Sequence, residues 1–307
     1  MATENELSWL AGLIDAEGSL GLRRIKSRKS QVFSQVFLGM VDRRAIEKAK
    51  LLAQDLYGAP LATHERMPSK IGSRTLYSFN MVAKRSLFCF LGKIIPYLRF
   101  KRAEAVLQYD FLSRASAGRY VATDHDRWLC EMSERIKQGD TLAKHEALLR
   151  VRDDFPHCGS SAAWLAGYTD GDGSISVATG TKSVLVSYWA RDREELEFAR
   201  RVAGDVSGTT MPALAPARSA LSTHPQWRLD VRGVSEGTAL LLTLLPHLYV
   251  KQAQATLALL LRRTSNAETR ASAVALIHGL NKGSVEHDDA NRFLARLTAF
   301  DTHPSPK

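Results

Sequence analysis

The chain has 307 residues, of which 45% are hydrophobic and 24% charged, and its 42 lysines and arginines against 32 acidic residues give a net charge of +10. This length suits two domains that each bury a core; no apolar run approaches the ~20 residues of a membrane span, and the N-terminus has no basic-then-apolar signal pattern, so neither a membrane protein nor a secreted one is expected. Cys89, Cys130 and Cys158 lie far apart with no CxxC pair, which argues against a zinc site or a disulfide framework and fits an intracellular, reducing compartment, while the basic balance favours a polyanionic partner.

Thr3 to Glu6 is a capping box, Thr-x-x-Glu, that opens a helix. Leu7, Leu10, Ala11 and Ile14 follow at the spacing of one helix face, and Trp9 and Leu13 fill other sides, so this helix should be buried nearly all round. Gly12 sits inside it at a cost of about 1 kcal/mol against alanine. Close backbone approach to a second helix would justify that cost. Beyond Gly18 the pattern is extended over residues 19–25 and 32–40, joined by the basic turn Lys26-Ser27-Arg28-Lys29-Ser30. A helix runs from Asp42 to Tyr57 and stops at Gly58. Strands are predicted over 61–66 and 75–82, and a helix over 84–95 ends at Pro96. Residues 101–116 are helical, and charged helical segments continue through 119–153. Residues 150–161, with Pro156 and Gly159, read as a linker.

The second half repeats the first. Leu165-Ala166-Gly167-Tyr168-Thr169-Asp170-Gly171-Asp172-Gly173 answers Leu10-Ala11-Gly12-Leu13-Ile14-Asp15-Ala16-Glu17-Gly18, with Trp164 matching Trp9 and Ser174 matching Ser19. Gly167 stands 155 positions after Gly12, whereas Asp192-Arg193, Gly208 and Pro246 stand 150 after Asp42-Arg43, Gly58 and Pro96. The difference is absorbed in the first hairpin, long and basic in copy one and short at 178–183 in copy two. From Asp42 to Lys101 the copies align without a gap. Residues 252–263 are helical like 101–116, helices over 271–281 and 288–300 close the second half, and 302–307 form a loose tail.

The two nine-residue motifs resemble those of the LAGLIDADG homing endonucleases in their single-chain, two-motif form. The resemblance implies an α/β (α+β) fold of two pseudo-symmetric domains, each helix-strand-strand-helix-strand-strand-helix, whose sheets make a DNA-binding saddle. The boundaries would be 1–150, a linker at 151–161, and 162–307. It also implies a monomer that cuts both strands of a long double-stranded DNA target with a divalent metal, leaving short 3′ overhangs. An intron RNA maturase and a non-catalytic DNA-binding regulator are the alternatives on this scaffold. Retention of an acid at the end of both motifs counts against each as the sole role. The ends, Met1 and Pro306-Lys307, lack the splicing residues of an intein.

Several residues then become candidates for chemistry. Glu17 and Asp172 should end up side by side at the foot of a helix pair, where carbonyl dipoles are negative and nothing else in the sequence neutralises them. With the preceding Ala16 and Gly171 they are the expected metal site, for Mg²⁺ or for Mn²⁺ or Ca²⁺ in its place, since hard cations take oxygen ligands and Mg²⁺ needs few carboxylates. Asp15 and Asp170 read as supporting groups. Lys101 and Lys251, each five residues after its proline, match the position of a basic residue that borders the family's active site. Met40-Val41 and Ala190-Arg191 stand where the family often has a polar residue such as glutamine, so that role is not carried over. Gln226, Arg228, Asp230 and Arg232 alternate with Trp227, Leu229 and Val231, a strand with one polar face suited to the major groove; Ser78 and Asn80 are their first-copy equivalents, outside the buried Tyr77, Phe79 and Met81. Arg23, Arg24, Lys26, Arg28 and Lys29 are expected on phosphates.

Overall fold

A computed structural model describes residues 2–25, 28–68, 74–115, 121–150, 155–177, 183–217, 226–264, 266–283 and 285–301, with the backbone alone at 25, 28–30, 263 and 297–301. The chain forms two compact units, Met1–Gly171 and Asp172–Lys307.

The first unit contains α1 (Glu4–Glu17), β1 (Gly18–Ile25), β2 (Arg28–Met40), α2 (Arg43–Tyr57), β3 (His64–Arg66), β4 (Leu76–Met81), α3 (Lys84–Ile94), a 3-10 turn (Ile95–Tyr97), α4 (Arg102–Ala115), α5 (Asp124–Lys137) and α6 (Thr141–Leu149). It also holds α7 (Ser161–Asp172) up to Gly171, so the second motif helix packs with the first unit. The strands make an antiparallel sheet in the order β1-β2-β4-β3. Alternation puts Leu20, Leu22, Val36, Leu38, Phe79 and Met81 on its buried face. Helices α1, α2 and α3 pack on the sheet, and α4 and α5 on β1.

The second unit runs β5 (Ser174–Val177), β6 (Val184–Ala190), α8 (Arg193–Ser207), β7 (Ala215–Ala217), β8 (Gln226–Gly233), α9 (Glu236–Leu244), α10 (Gln252–Arg263), α11 (Ala267–Lys282) and α12 (His287–Asp301). Its sheet has the equivalent order, β5-β6-β8-β7. Ile175, Val184, Val186, Tyr188, Leu229 and Val231 form the buried face. Asn281 on α11 donates its side-chain amide to the Ile175 carbonyl at 2.7 Å, which ties the closing helices to β5.

The duplication is visible in local chemistry. Asp42 caps α2 by accepting from Arg44 N at 2.9 Å, and Asp192 caps α8 by accepting from Glu194 N at 2.8 Å. Gly58 and Gly208 end those helices in the left-handed region, at φ 70° and 65°, where a side chain would be strained. The next residue after each cap, Arg43 or Arg193, lies over the ring of Tyr77 or Trp227, at 5.8 and 4.8 Å.

Some boundaries differ from the sequence reading. β2 begins at Arg28, inside the predicted turn, and pairs Ile25 with Arg28 across an irregularity that follows Arg24. The strand expected over 61–66 is only His64–Arg66, because Leu61 turns into the core instead. The end of the linker is packed: Phe155 is buried, Cys158 N donates to the Pro96 carbonyl at 3.0 Å, and Ser160 N to Ser8 Oγ at 3.0 Å. Residues 151–154 and the tail 302–307 lie outside the described residues. No helix among the described residues is long and apolar enough to cross a membrane.

Candidate active site and groove face

The capping box forms as expected, with Glu6 N donating to Thr3 Oγ1 and Thr3 N to Glu6 Oε2. From Ser8 to Asp15 every residue of α1 is buried, and so is every residue of α7 from Ala163 to Asp170. The two glycines explain how such helices pair. A Cβ on Gly12 would stand 2.0 Å from the Trp164 carbonyl oxygen, and one on Gly167 would stand 2.0 Å from that of Trp9. Backbone meets backbone, and only glycine permits it.

A second reciprocity lies beside the first. Trp164 Nε1 donates to Asp15 Oδ2 at 2.8 Å, and Trp9 Nε1 donates to Asp170 Oδ2 at 2.9 Å. Asp15 and Asp170 are 4% and 1% exposed. Asp15 also accepts from the backbone N–H groups of Arg99 and Lys101, each at 2.8 Å. Burial raises the Asp15 carboxyl above its ordinary pKa, against the lowering effect of those donors. The first acid of each motif is therefore a buried joint, as its supporting role requires. The tryptophans were visible in sequence only as bulk, since their partners are on the opposite helix.

The last acids are placed differently. Glu17 is half-buried at the end of α1, and Asp172 is exposed at the end of α7. Gly171 lies against the foot of α1, where a Cβ on it would be 2.5 Å from Ala16 Cβ and 3.1 Å from Glu17 Cγ. Lys101 corrects the expectation that nothing neutralises this end. Its Nζ donates to the carbonyls of Ile14, Asp15 and Ala16 at 3.0, 2.6 and 3.1 Å. The lysine is a half-buried cation set on the negative end of the α1 dipole. Lys251 is half-buried at the N-cap position of α10.

Two features near Lys101 carry no signal in the sequence. Glu104, one turn on, has its Oε2 sealed from solvent without a hydrogen-bond partner, and burial pushes its carboxyl up. Arg99 and Arg102 both donate to His157 Nδ1, the latter at 2.7 Å, so that nitrogen is the acceptor. Desolvation, then Arg102 and Arg99, holds the His157 pKa down to about 4.

The polar faces of the sheets sort the remaining candidates. In the first sheet Arg23 pairs in register with Phe33 and lies over its ring at 5.3 Å. Arg24 points the other way, toward α5, and forms a 2.8 Å ion pair with Glu131; it is not on the face with Arg23. Asn80 is exposed, but Ser78 is only 7% exposed between Gly39 and His64 on the neighbouring strands, contrary to the expected outward position. Lys26 and the side chains of Arg28 and Lys29 lie outside the described residues. In the second sheet β8 alternates as expected, with Leu229 and Val231 buried, Arg232 exposed, and Gln226, Arg228 and Asp230 between. Trp227 is only half-buried, covered by Arg193. Trp189, unremarked in the sequence, shares the polar face with Arg228.

Helices joined through glycine backbones, each ending in acid and each followed by a four-stranded antiparallel sheet, define a LAGLIDADG scaffold. Residues 160–206 match the LAGLIDADG-like domain family. Across its length the chain has the fold of single-chain LAGLIDADG homing endonucleases. I-GzeII, solved in complex with its DNA target, is 12% identical, with 89% of this chain and 97% of that one covered at a TM-score of 0.59. I-LtrWI bound to target DNA is 15% identical, covering 90% and 98% at 0.58. I-SmaMI bound to uncleaved DNA in the presence of calcium ions is 16% identical, covering 89% and 98% at 0.52. No curated protein matches the sequence.

Proposed function

We propose that this chain is a site-specific endonuclease that binds a long double-stranded DNA target as a monomer and hydrolyses both strands, leaving short 3′ overhangs. One observation carries the reading. The first acid of each motif is consumed in a buried tryptophan joint, whereas the last, Glu17 or Asp172, sits at a helix end that solvent reaches. An acid kept at that place in both copies, within reach of solvent, is what supports cleavage over binding alone.

Glu17 and Asp172 would each be a ligand for a divalent cation, with the backbone oxygen of Gly171 as a further donor and that of Ala16 sharing itself with Lys101, which donates to it at 3.1 Å. The donor set fits the group: all oxygen and two carboxylates, the small complement that Mg²⁺ accepts and that Mn²⁺ or Ca²⁺ tolerates. Bound there, the cation would neutralise charge at the scissile phosphate and lower the pKa of an attacking water. Lys101 fixes the last turn of α1, and with it the backbone that presents Glu17. Asp15 fixes the residues that place Lys101. Lys251 is the equivalent candidate in the second copy. Base reading falls to the polar faces of the two sheets. Their residues differ, so the target should be asymmetric.

The test is selection of cleaved molecules from a randomised duplex pool, followed by Glu17→Gln and Asp172→Asn on the recovered target. Double-strand cutting should disappear in each variant while specific binding stays near the native level. Full cleavage by both variants would overturn the catalytic assignment.

A further inference from the structure

The polar face of the second sheet contains one cluster that is more ordered than base contacts alone require. Trp189 on β6 and Arg228 on β8 are direct register partners, and the Arg228 guanidinium lies over the indole at 5.3 Å. Its Nε is sealed from solvent and forms an ion pair with Asp230 Oδ2 at 3.1 Å, a contact of charge that lacks the geometry of a hydrogen bond. Asp230 is itself held, because Ser187 Oγ donates to Oδ1 at 2.8 Å, and Ser187 and Asp230 are register partners too. The Arg228 side chain nonetheless keeps 41% of its surface exposed. The carboxylate thus neighbours one edge of the guanidinium and the ring one face, and the terminal nitrogens are what remain for an outside acceptor.

We infer that Arg228 reads a single guanine, and that Trp189 and Asp230 are positioning residues that hold its guanidinium in the reading orientation. This rests on the reading of the chain as a binder of duplex DNA. Guanine is the base that offers two acceptors, O6 and N7, on its major-groove edge, and two terminal guanidinium nitrogens match them. A phosphate is the other acceptor of that geometry, and Asp230 argues against it. A carboxylate 3.1 Å from the guanidinium repels an incoming anion but not the neutral edge of a base. Fixing the arginine before binding also removes the loss of rotamer freedom that a loose side chain would suffer on contact.

The first copy has no such device at the equivalent place. Gly39 and Ser78, 150 positions before Trp189 and Arg228, are register partners as well, but Gly39 has no side chain. The ring of Phe37 lies over that glycine, where a Cβ would be 2.9 Å from Cε1 and Cζ. The requirement for guanine therefore belongs to one half of the target.

The experiment uses the full chain and the target recovered by selection. Equilibrium binding is measured on a panel of duplexes carrying every single base-pair substitution, at two salt concentrations. The native protein should prefer G·C at one pair, and Arg228→Ala should reduce that preference by about 5- to 150-fold with other positions unchanged. Trp189→Leu should reduce preference at the same pair, while Trp189→Phe, which keeps a ring beneath the guanidinium, should retain most of it. The salt slope should not change in the tryptophan variants. A uniform loss across the panel for Arg228→Ala, with the slope smaller by about 1, would make Arg228 a phosphate contact and overturn the inference. So would native discrimination in Trp189→Leu, which would leave the DNA-binding reading intact. Absence of sequence preference in the native protein would defeat that broader reading and this one with it.

Discussion

Replacing Gly12 by alanine would put a methyl group 2.0 Å from the Trp164 carbonyl oxygen and 2.9 Å from Tyr168 N, both backbone atoms that no rotamer change can move. Real Cβ contacts do not fall below 3.0 Å, so α1 and α7 must separate by about 1 Å. That shift would stretch the joints beside it, Trp164 to Asp15 at 2.8 Å and Trp9 to Asp170 at 2.9 Å, beyond hydrogen-bonding distance. Each joint ends on a buried carboxylate, and a hydrogen bond to a charged group contributes about 1.5–3 kcal/mol. Alanine returns about 1 kcal/mol of helix propensity. The net loss should be about 3 kcal/mol, read as a fall in melting temperature of about 6–12 °C for a chain of this size. Gly58→Ala is the control: it sits at φ 70° with nothing within 4 Å of the added methyl, and should lose only about 1 kcal/mol, from backbone strain. The two variants would be compared by thermal melting under one set of conditions. A Gly12→Ala protein as stable as the native one would refute the claim that backbone contact is what this glycine is for.

Other substitutions separate roles that the sequence ran together. Asp15→Asn should lower stability by about 2 kcal/mol in denaturant titration, because an amide cannot accept from all three donors; Glu17→Gln should abolish cutting while costing less stability than Asp15→Asn. Lys101→Met should slow single-turnover cleavage and also lower the melting temperature, since it uncovers three carbonyls at the end of α1; an unchanged melting temperature would deny the capping role. Arg24→Ala should leave base discrimination untouched and change stability by no more than about 0.5 kcal/mol, because its ion pair with Glu131 is exposed. His157 has a folded pKa of about 4, below its ordinary 6.5, so the unfolded chain takes up the proton first. Its contribution to stability is whole above pH 6.5 and is lost as pH falls toward 4; screening of the exposed ring limits this to about 1 kcal/mol, and His157→Gln should remove that part of the pH slope.

The scaffold was legible because its instructions are local. Thr3, Asp42, Asp192, Gly58 and Gly208 each act within a few residues of themselves, and two copies 150 positions apart state the same element order twice. The glycines of the motif helices were legible for a different reason, since a residue that weakens a helix in both copies asks for a close neighbour. What failed depended on partners elsewhere in the chain. Arg23 and Arg24 are adjacent in one strand, so the pleat sends them to opposite sides, and only the packing of α5 shows that Arg24 has the covered one. Lys101 was marked by its place after Pro96, but its contact with the α1 carbonyls could be seen only in the fold. Ser78 follows the alternation correctly and is covered all the same, because exposure on a sheet face depends on what the neighbouring strands carry.

The same contrast explains what the duplication has kept and what it has let go. Positions that hold each copy together recur with their chemistry intact: a capping aspartate, an arginine over an aromatic ring, a left-handed glycine. Each serves a partner in its own copy, so a change in either half costs stability whatever the other half does. Positions on the polar faces have partners mainly on the same face, as Arg228 has in Trp189 and Asp230, and not in the core. Trp189, Arg228 and Asp230 stand where the first copy has Gly39, Ser78 and Asn80, with the strand register unchanged. A chain in which both copies read identical half-sites would have no reason to diverge there while keeping its caps. Divergence on these faces, beside conserved caps, is the pattern expected when each sheet is fitted to its own stretch of a target that is not a perfect palindrome.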